Sequence, residues 1–220
     1  MRGKMIVIDG NDGSGKQTQT DLLRKYLVED CRPVVRISFP RYEDTFFGRE
    51  LRRALRGDYG NFVELDPHLA APLYAADRWA SKAQIERELE NGVYVLCDRY
   101  ASSNQIHQGG KIENEEKRIE FLAWLEQLEY GEYKIPRPDI SVYLDVPPAV
   151  SHRNMDSKTR DIVENNPRYI ENSHKSAQWL IARNPEHWIH IRCTDHRGLM
   201  RSREEIHEEV IRELRAHNVL

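Results

Sequence analysis

The stretch "MIVIDGNDGSGKQTQ", residues 5–19, sets Gly10, Gly15 and Lys16 in the spacing G-x-x-x-x-G-K. Glycines tolerate backbone angles that other residues resist, so successive N–H groups of such a loop turn inward toward an anion. A helix starting at the end of the loop adds positive potential there, and Lys16 adds a point charge. The chemistry this suits is the holding of a phosphate chain by Gly10, Asn11, Asp12, Gly13, Ser14, Gly15, Lys16, Gln17 and Thr18. An ordinary glycine turn is the alternative, but the strand pattern before the loop and the helix pattern after it favour phosphate. One residue departs from the usual pattern. Gln17 stands where a Ser or Thr hydroxyl would ligate Mg2+, and its longer carbonyl arm is a weaker direct ligand.

A second group lies at the end of a later apolar run, "VLCDRYASSN". Asp98 is placed where a strand delivers a side chain to the carboxyl edge of an open α/β sheet, where such sheets bind ligands. An acid there can hold Mg2+ through water, and Arg99 beside it suits a second phosphate. Taken alone, the two residues read better as a surface ion pair; beside a phosphate loop the preference reverses to the metal reading.

Strands and helices alternate to position these groups. "KMIVID" (4–9), "PVVRISF" (33–39), "VYVLCD" (93–98), "DISVYLDV" (139–146) and "HWIHIRC" (187–193) read as five strands, several of them nearly continuous apolar runs. Such runs are expected of parallel strands covered on both faces. The expected fold is therefore α/β, a five-stranded parallel sheet with right-handed crossovers and helices on both faces. In the segment 66–91, Asp66 is a helix cap and Pro67 a first-turn residue. Leu69, Leu73, Ala76, Ala80 and Ala83 form a stripe along it, expected to face the core, with a partner-helix seam as the second reading. The polar segment 154–167 carries few apolar residues and reads as a flap.

The 220 residues suit one large domain, and the formal charge of −3 argues against a general nucleic-acid binder. No window approaches the roughly 18 apolar residues of a membrane-spanning helix. The chain opens straight into a strand without an apolar signal region, and Cys31, Cys97 and Cys193 are odd in number with no close pair. We therefore expect reduced thiols and a cytoplasmic location, with no membrane partner.

Four stretches in order, "DGNDGSGKQTQ", "FPRYEDTFFG", "LYAADRWAS" and "CDRYASSNQIHQGGK", resemble the thymidylate kinases over nearly the whole chain. The resemblance implies a P-loop nucleoside monophosphate kinase fold, a single domain over 1–220 with a short lid at about 153–166. It also implies homodimers, and transfer of phosphate from ATP to dTMP with Mg2+. By position, Phe39 resembles the residue lying against thymine, Arg41 a contact to the monophosphate, and Leu55 part of the roof of the base pocket. Tyr74 looks like the aromatic stacked on the base and Arg78 like the donor to a thymine oxygen, with Asp77 orienting one of the arginines. Arg99 resembles the holder of the acceptor phosphate, and Ser103 and Asn104 the polar pair at the base edge. His107 stands where many members carry a tyrosine near the sugar. Asp12 resembles the carboxylate near the sugar 3′-OH and the metal. In the lid, Arg153 matches the arginine on adenine, Arg160 one that closes onto phosphates, and Asp161 and Glu164 the terminal acids, Glu164 near the metal. Val163 replaces a frequent aromatic. Expected metal positions are thus Asp98, Asp12 and Glu164.

Two rival functions differ in class. A kinase of another nucleoside monophosphate shares the machinery but not the base pocket. A nucleotide-binding switch protein would be expected to carry an N-K-x-D stretch after a later strand, and none is present. A metal site from His187, His190, Cys193 and His196 is disfavoured, because alternate side chains of a strand face opposite ways.

Overall fold

The computed structural model describes residues 2–154 and 166–220. Five strands, β1 (Met5–Gly10), β2 (Val34–Ser38), β3 (Tyr94–Asp98), β4 (Ile140–Asp145) and β5 (Trp188–Arg192), form one sheet in the order β2-β3-β1-β4-β5. All four pairings are parallel. Every strand therefore ends at the same edge, and the five apolar runs of the sequence are these strands. β1 is the central one, and all six of its residues are buried.

The period-two alternation of the strands feeds two cores. Ile6, Ile8, Leu96, Val142 and Ile191 pack on one face against Leu23 and Leu27 of α1 (Lys16–Glu29) and Val210 and Leu214 of α9 (Arg203–Ala216). Each such fully buried aliphatic side chain contributes about 1.5–3 kcal/mol relative to exposure. On the other face Met5, Val7, Val95 and Cys97 meet Ile85 and Leu89 of α4 (Lys82–Glu90). Farther along that face Tyr143 and Trp188 meet Ile106 of α5 (Ala101–Gly109) and Ala177 and Leu180 of α8 (Pro167–Arg183). The sheet's elements alternate with helices α2 (Phe46–Leu55), α3 (Pro67–Ala80), α6 (Glu115–Glu126) and α7 (Pro148–Asn154).

The helix cap at Asp66 forms as expected: its carboxylate accepts from the His68 N–H, and Pro67 opens α3. The single long helix does not. Ser81 interrupts it, and α3 and α4 are separate. The stripe holds only in part: Ala76 is buried and Leu73 packs on the core as expected, but the rest of the inward face is different. Ala70, Ala71, Ala75 and Ala76 are buried, while Leu69 is 66% exposed and Ala80 and Ala83 face solvent. The small residues win the interior because α3 must pass close to α2 and α5, where an alanine face permits the approach.

Capping is strong where the helices anchor the site. Thr45 caps α2 by accepting from the Gly48 N–H, and Asn166 caps α8 by accepting from the Tyr169 N–H. Gly48 allows no larger side chain, since a Cβ there would lie 1.9 Å from the Arg41 carbonyl oxygen. No helix of the described residues is long and apolar enough to cross a membrane.

Candidate active site

The loops leaving β1, β2 and β3 converge on a cleft of about 250 Å3 at the carboxyl edge of the sheet. Phe39, Leu55 and Tyr74 give it an apolar wall, and Asp12, Arg78, Arg99, Ser103, Asn104 and His107 give it polar groups. Phe39 is held edge-to-face against Tyr100, and Tyr74 packs tilted against Phe62. Arg41 does not line this cleft. Its guanidinium donates to Asp44, Ser81 and Gln84, and its backbone N–H donates to Asp77. Asp77 also accepts from the Thr45 hydroxyl that caps α2, so it fixes the backbone after β2 rather than orienting a guanidinium.

The loop after β1 has the features of an anion cradle. Gly10, Gly13 and Gly15 adopt positive φ of 149°, 76° and 87°. A Cβ on Gly10 would lie 2.7 Å from both the Leu144 carbonyl oxygen and Ser14 Oγ. No side chain caps the N-terminus of α1, and no acidic residue lies in its first turn. Its first N–H groups are thus left for a ligand. Asn11 Nδ2 and Ser14 Oγ are buried with no hydrogen-bond partner among the described residues. Lys16 Nζ donates to the Asn11 carbonyl at 2.8 Å and to Asp12 Oδ1 at 3.3 Å. Burial lowers the Lys16 pKa, and the like charge of Arg99 adds to the shift, against the opposing pull of Asp12. Gln17 is exposed on the first turn. Gln19 instead ties the helix down, donating from Nε2 to the Arg203 carbonyl.

Arg99 joins this loop to the cleft. Its backbone is left-handed at φ 66°, an uncommon state for a residue with a Cβ. Its Nη2 donates to Asp12 Oδ1 at 2.6 Å, its Nη1 donates to His107 Nε2 at 3.0 Å, and Asp9 Oδ1 lies 3.7 Å from Nη1. Burial works against the charge of Arg99, but Asp12, Asp9 and Asp98 outweigh it and hold the guanidinium charged. Reciprocally, burial would raise the Asp12 carboxyl, but Arg99 and Lys16 hold it well below the usual carboxylate range.

These bonds fix the state of His107. A guanidinium can only donate, so Nε2 accepts and the ring is neutral with its proton on Nδ1. That proton faces Ser173 Oγ at 3.1 Å, and the Ser173 hydroxyl donates to the Tyr169 carbonyl. The ring stacks on Tyr169 with centroids 5.8 Å apart and planes 7° from parallel. Burial and the charge of Arg99 push the His107 pKa down to about 4. His107 therefore serves as an acceptor that positions Arg99, and α8 takes part in holding it.

Asp98 ends β3 as expected but lies outside the cleft lining, where it accepts from Arg36 Nη2 at 3.1 Å. Ser103 lines the cleft, and its hydroxyl, like that of Ser102, donates to Asp9 Oδ2. Arg78 is bound through Nε and Nη2 to Glu129, and Asn104 Nδ2 donates to Glu129 and to the Ala71 carbonyl. Arg160 and Glu164 lie outside the described residues, as do Asp161 and Val163, and of Arg153 only the backbone is described, within α7. The disfavoured metal cluster does not assemble: His190 Nε2 bonds to Asp145, Cys193 is buried, and no group of three or more metal-ligating side chains occurs among the described residues.

A sequence model of the thymidylate kinase family matches residues 8–208. The chain belongs to the thymidylate kinase family. It is 30% identical over 215 residues to a thymidylate kinase of Plasmodium falciparum, covering 97% of this chain and 90% of that one. It is 32% identical over 213 residues to a probable thymidylate kinase of Pyrococcus abyssi, covering 96% and 95% of the two chains. In three dimensions it is similar to the thymidylate kinase of Candida albicans, with a TM-score of 0.75 at 19% identity, over 99% of this chain and 93% of the other. That likeness shows that the family fold is shared.

Reading the sequence missed Asp9, Glu129, Tyr169 and Ser173. Asp9 had a signal, being the polar residue that closes an otherwise apolar β1. Glu129, Tyr169 and Ser173 had none, since each acts from a helix distant in sequence.

The lowered pKa of His107 makes stability depend on pH. The unfolded chain takes up a proton near the ordinary value of 6.5, but the folded chain does so only near 4. Stability must therefore fall as pH drops through that window. The variant His107→Gln keeps an acceptor for Arg99 but does not titrate. Urea unfolding from pH 7 to pH 4 is expected to show a shallower decline for the variant than for the unmodified chain. Equal slopes would contradict the neutral His107.

Proposed function

We propose that ATP and dTMP meet end to end across this cleft, in the reaction of the family: in-line transfer of the terminal phosphoryl group of ATP to dTMP. The observation that carries this arrangement is the bridge from Lys16 through Asp12 to Arg99, in which the lysine of the phosphate cradle and an acceptor-side guanidinium share one carboxylate oxygen, Asp12 Oδ1. In this reading the amides of residues 10–18 and Lys16 hold the donor phosphates, and Arg99 exchanges part of its hold on Asp12 for the acceptor phosphate. Arg41 joins it by releasing its exposed partner Asp44. Thymine lies between Phe39 and Tyr74 under Leu55, with Arg78 and Asn104 at its edge.

The residues present fit a magnesium ion. Asp12 and Asp98 offer hard oxygen donors at the sheet edge, and the buried unpartnered Asn11 and Ser14 groups await phosphate oxygens. No ready-made cage of three ligands exists among the described residues, which suits an ion that keeps several waters and binds through one or two carboxylates plus phosphates. When bound, such an ion neutralises charge on the phosphates. Glu164, Arg160 and Arg153 are assigned here by resemblance alone.

The reaction needs no protein base. The second ionisation of a phosphate monoester lies near pH 6, so the acceptor is largely ionised at neutral pH. His107 cannot serve as one while its Nε2 accepts from Arg99. What the protein supplies is alignment and fixed positive charge. The exposed face of α3, with Leu69 at 66% and Trp79 at 50%, is assigned to the homodimer seam that the family implies. Sedimentation at micromolar concentration is expected to give a dimer that Leu69→Glu shifts toward monomer; a monomeric parent chain would contradict that seam.

Replacing Lys16 or Arg99 by Ala is expected to lower kcat by about 10³-fold or more, with the circular dichroism spectrum retained. A coupled ADP-release assay with dTMP, dUMP, dGMP and CMP measures both the loss and the substrate preference. Near-normal rates in either variant, or CMP preferred over dTMP, would contradict the reading.

A further inference from the structure

Glu129 lies outside the lining of the cleft, on a π-helical turn at Gln127–Glu132, yet it touches two residues of the cleft wall. Its carboxylate is 1% exposed, and the Arg78 guanidinium it binds is 3% exposed. Arg78 Nε donates to Oε2 at 2.7 Å and Nη2 donates to Oε1, which leaves Nη1 as the nitrogen Glu129 does not engage. Oε1 also accepts from Asn104 Nδ2 at 3.0 Å, and the same Nδ2 donates to the Ala71 carbonyl at 3.1 Å. A carboxylate and a backbone carbonyl are acceptors only. Both of their bonds therefore fix which end of the Asn104 amide is nitrogen, and Oδ1 is the end they do not engage. Asn104 Oδ1 is buried without a partner, and Asn104 belongs to the cleft wall.

We propose that Glu129 is a positioning residue that makes this cleft select the thymine edge over the cytosine edge, by dictating the direction of the Asn104 amide. The inference rests on the placement of the base given above. Thymine offers a donor at N3 and an acceptor at O4; cytosine offers an acceptor at N3 and a donor at N4. An Asn104 fixed with its oxygen toward the base accepts from thymine N3–H and repels the lone pair of cytosine N3. The free N–H groups of Arg78 Nη1 meet an acceptor in one case and an amino group in the other. Without Glu129 the amide can turn over, because the Ala71 carbonyl alone holds it. The turned amide would donate to cytosine. A site built to hydrogen-bond one edge discriminates far more strongly than an apolar pocket does, because the wrong base leaves buried groups unpaired.

The test measures kcat/KM for dTMP and for dCMP in the unmodified enzyme, Glu129→Gln and Asn104→Ala. The inference expects Glu129→Gln to lower the dTMP-to-dCMP ratio at least about tenfold, chiefly through a higher KM for dTMP. A merely structural role would lower the melting temperature and depress both substrates alike, and a ratio unchanged within about twofold overturns the inference. Should Glu129→Gln fail to fold, Glu129→Asp keeps the charge facing Arg78 but shortens the reach to Asn104, and the same fall in ratio is expected of it. Asn104→Ala separates the two levels of the argument. If it changes the ratio and the Glu129 variants do not, only the role of Glu129 fails; if it also leaves the ratio unchanged, the base does not lie against Asn104 and the placement itself fails.

Discussion

A guanidinium buried at the edge of a parallel sheet must find negative charge and oriented acceptors, or it cannot stay there. Arg99 meets this demand with Asp12, Asp9 and His107. Each of these partners is in turn fixed by something else. Asp9 closes the central strand and takes the hydroxyls of Ser102 and Ser103 from the start of α5. Asp12 sits in the glycine loop and touches Lys16. His107 leans on Ser173 and Tyr169 of α8. One cation thus gathers the loop after β1, the end of β3, α5 and α8 into a single polar assembly, and the strained backbone at residue 99 is held by those partners.

The same logic recurs at the far wall of the cleft. Arg78 and Glu129 form a buried, two-point ion pair, with Asn104 attached. Breaking such a pair by removing one partner typically costs about 3–5 kcal/mol, while the intact pair contributes little beyond its own desolvation. Its worth is in orientation rather than in stability. Two arginines, each fixed by carboxylates, therefore bound the cleft, Arg99 beside the glycine loop and Arg78 on α3. The apolar side chains of Phe39, Leu55 and Tyr74 lie among its lining residues.

Most of the fold was legible because its signals are local. Short apolar-rich runs bounded by turn and helix patterns are expected of parallel strands, and each of the five is a strand. The phosphate loop was legible for the same reason, since its glycines, lysine and helix start are contiguous. The inward face of α3 was not, because alanines carry little hydrophobic signal and Leu69 carries much, yet close helix packing selected the alanines. Nor were the carboxylate partners of the arginines. Asp77 was read as the partner of an arginine side chain and proved to hold the backbone of Arg41, while Glu129, more than fifty residues from Arg78 along the chain, holds the guanidinium. The partners of Arg41 were equally hidden in the sequence: its guanidinium donates to Asp44, Ser81 and Gln84, and it does not line the cleft.

The claim on which the rest depends is that Arg99 stands between the two phosphate sites and is shared with Asp12. The most direct measurement is a crystal structure with dTMP and a non-hydrolysable ATP analogue bound together. The account predicts the monophosphate of dTMP on the guanidinium of Arg99 and the terminal phosphate of the analogue on Lys16 and the amides of residues 10–18, facing one another in line. A dTMP phosphate bound elsewhere, with Arg99 still held by Asp12 and His107 alone, would contradict it.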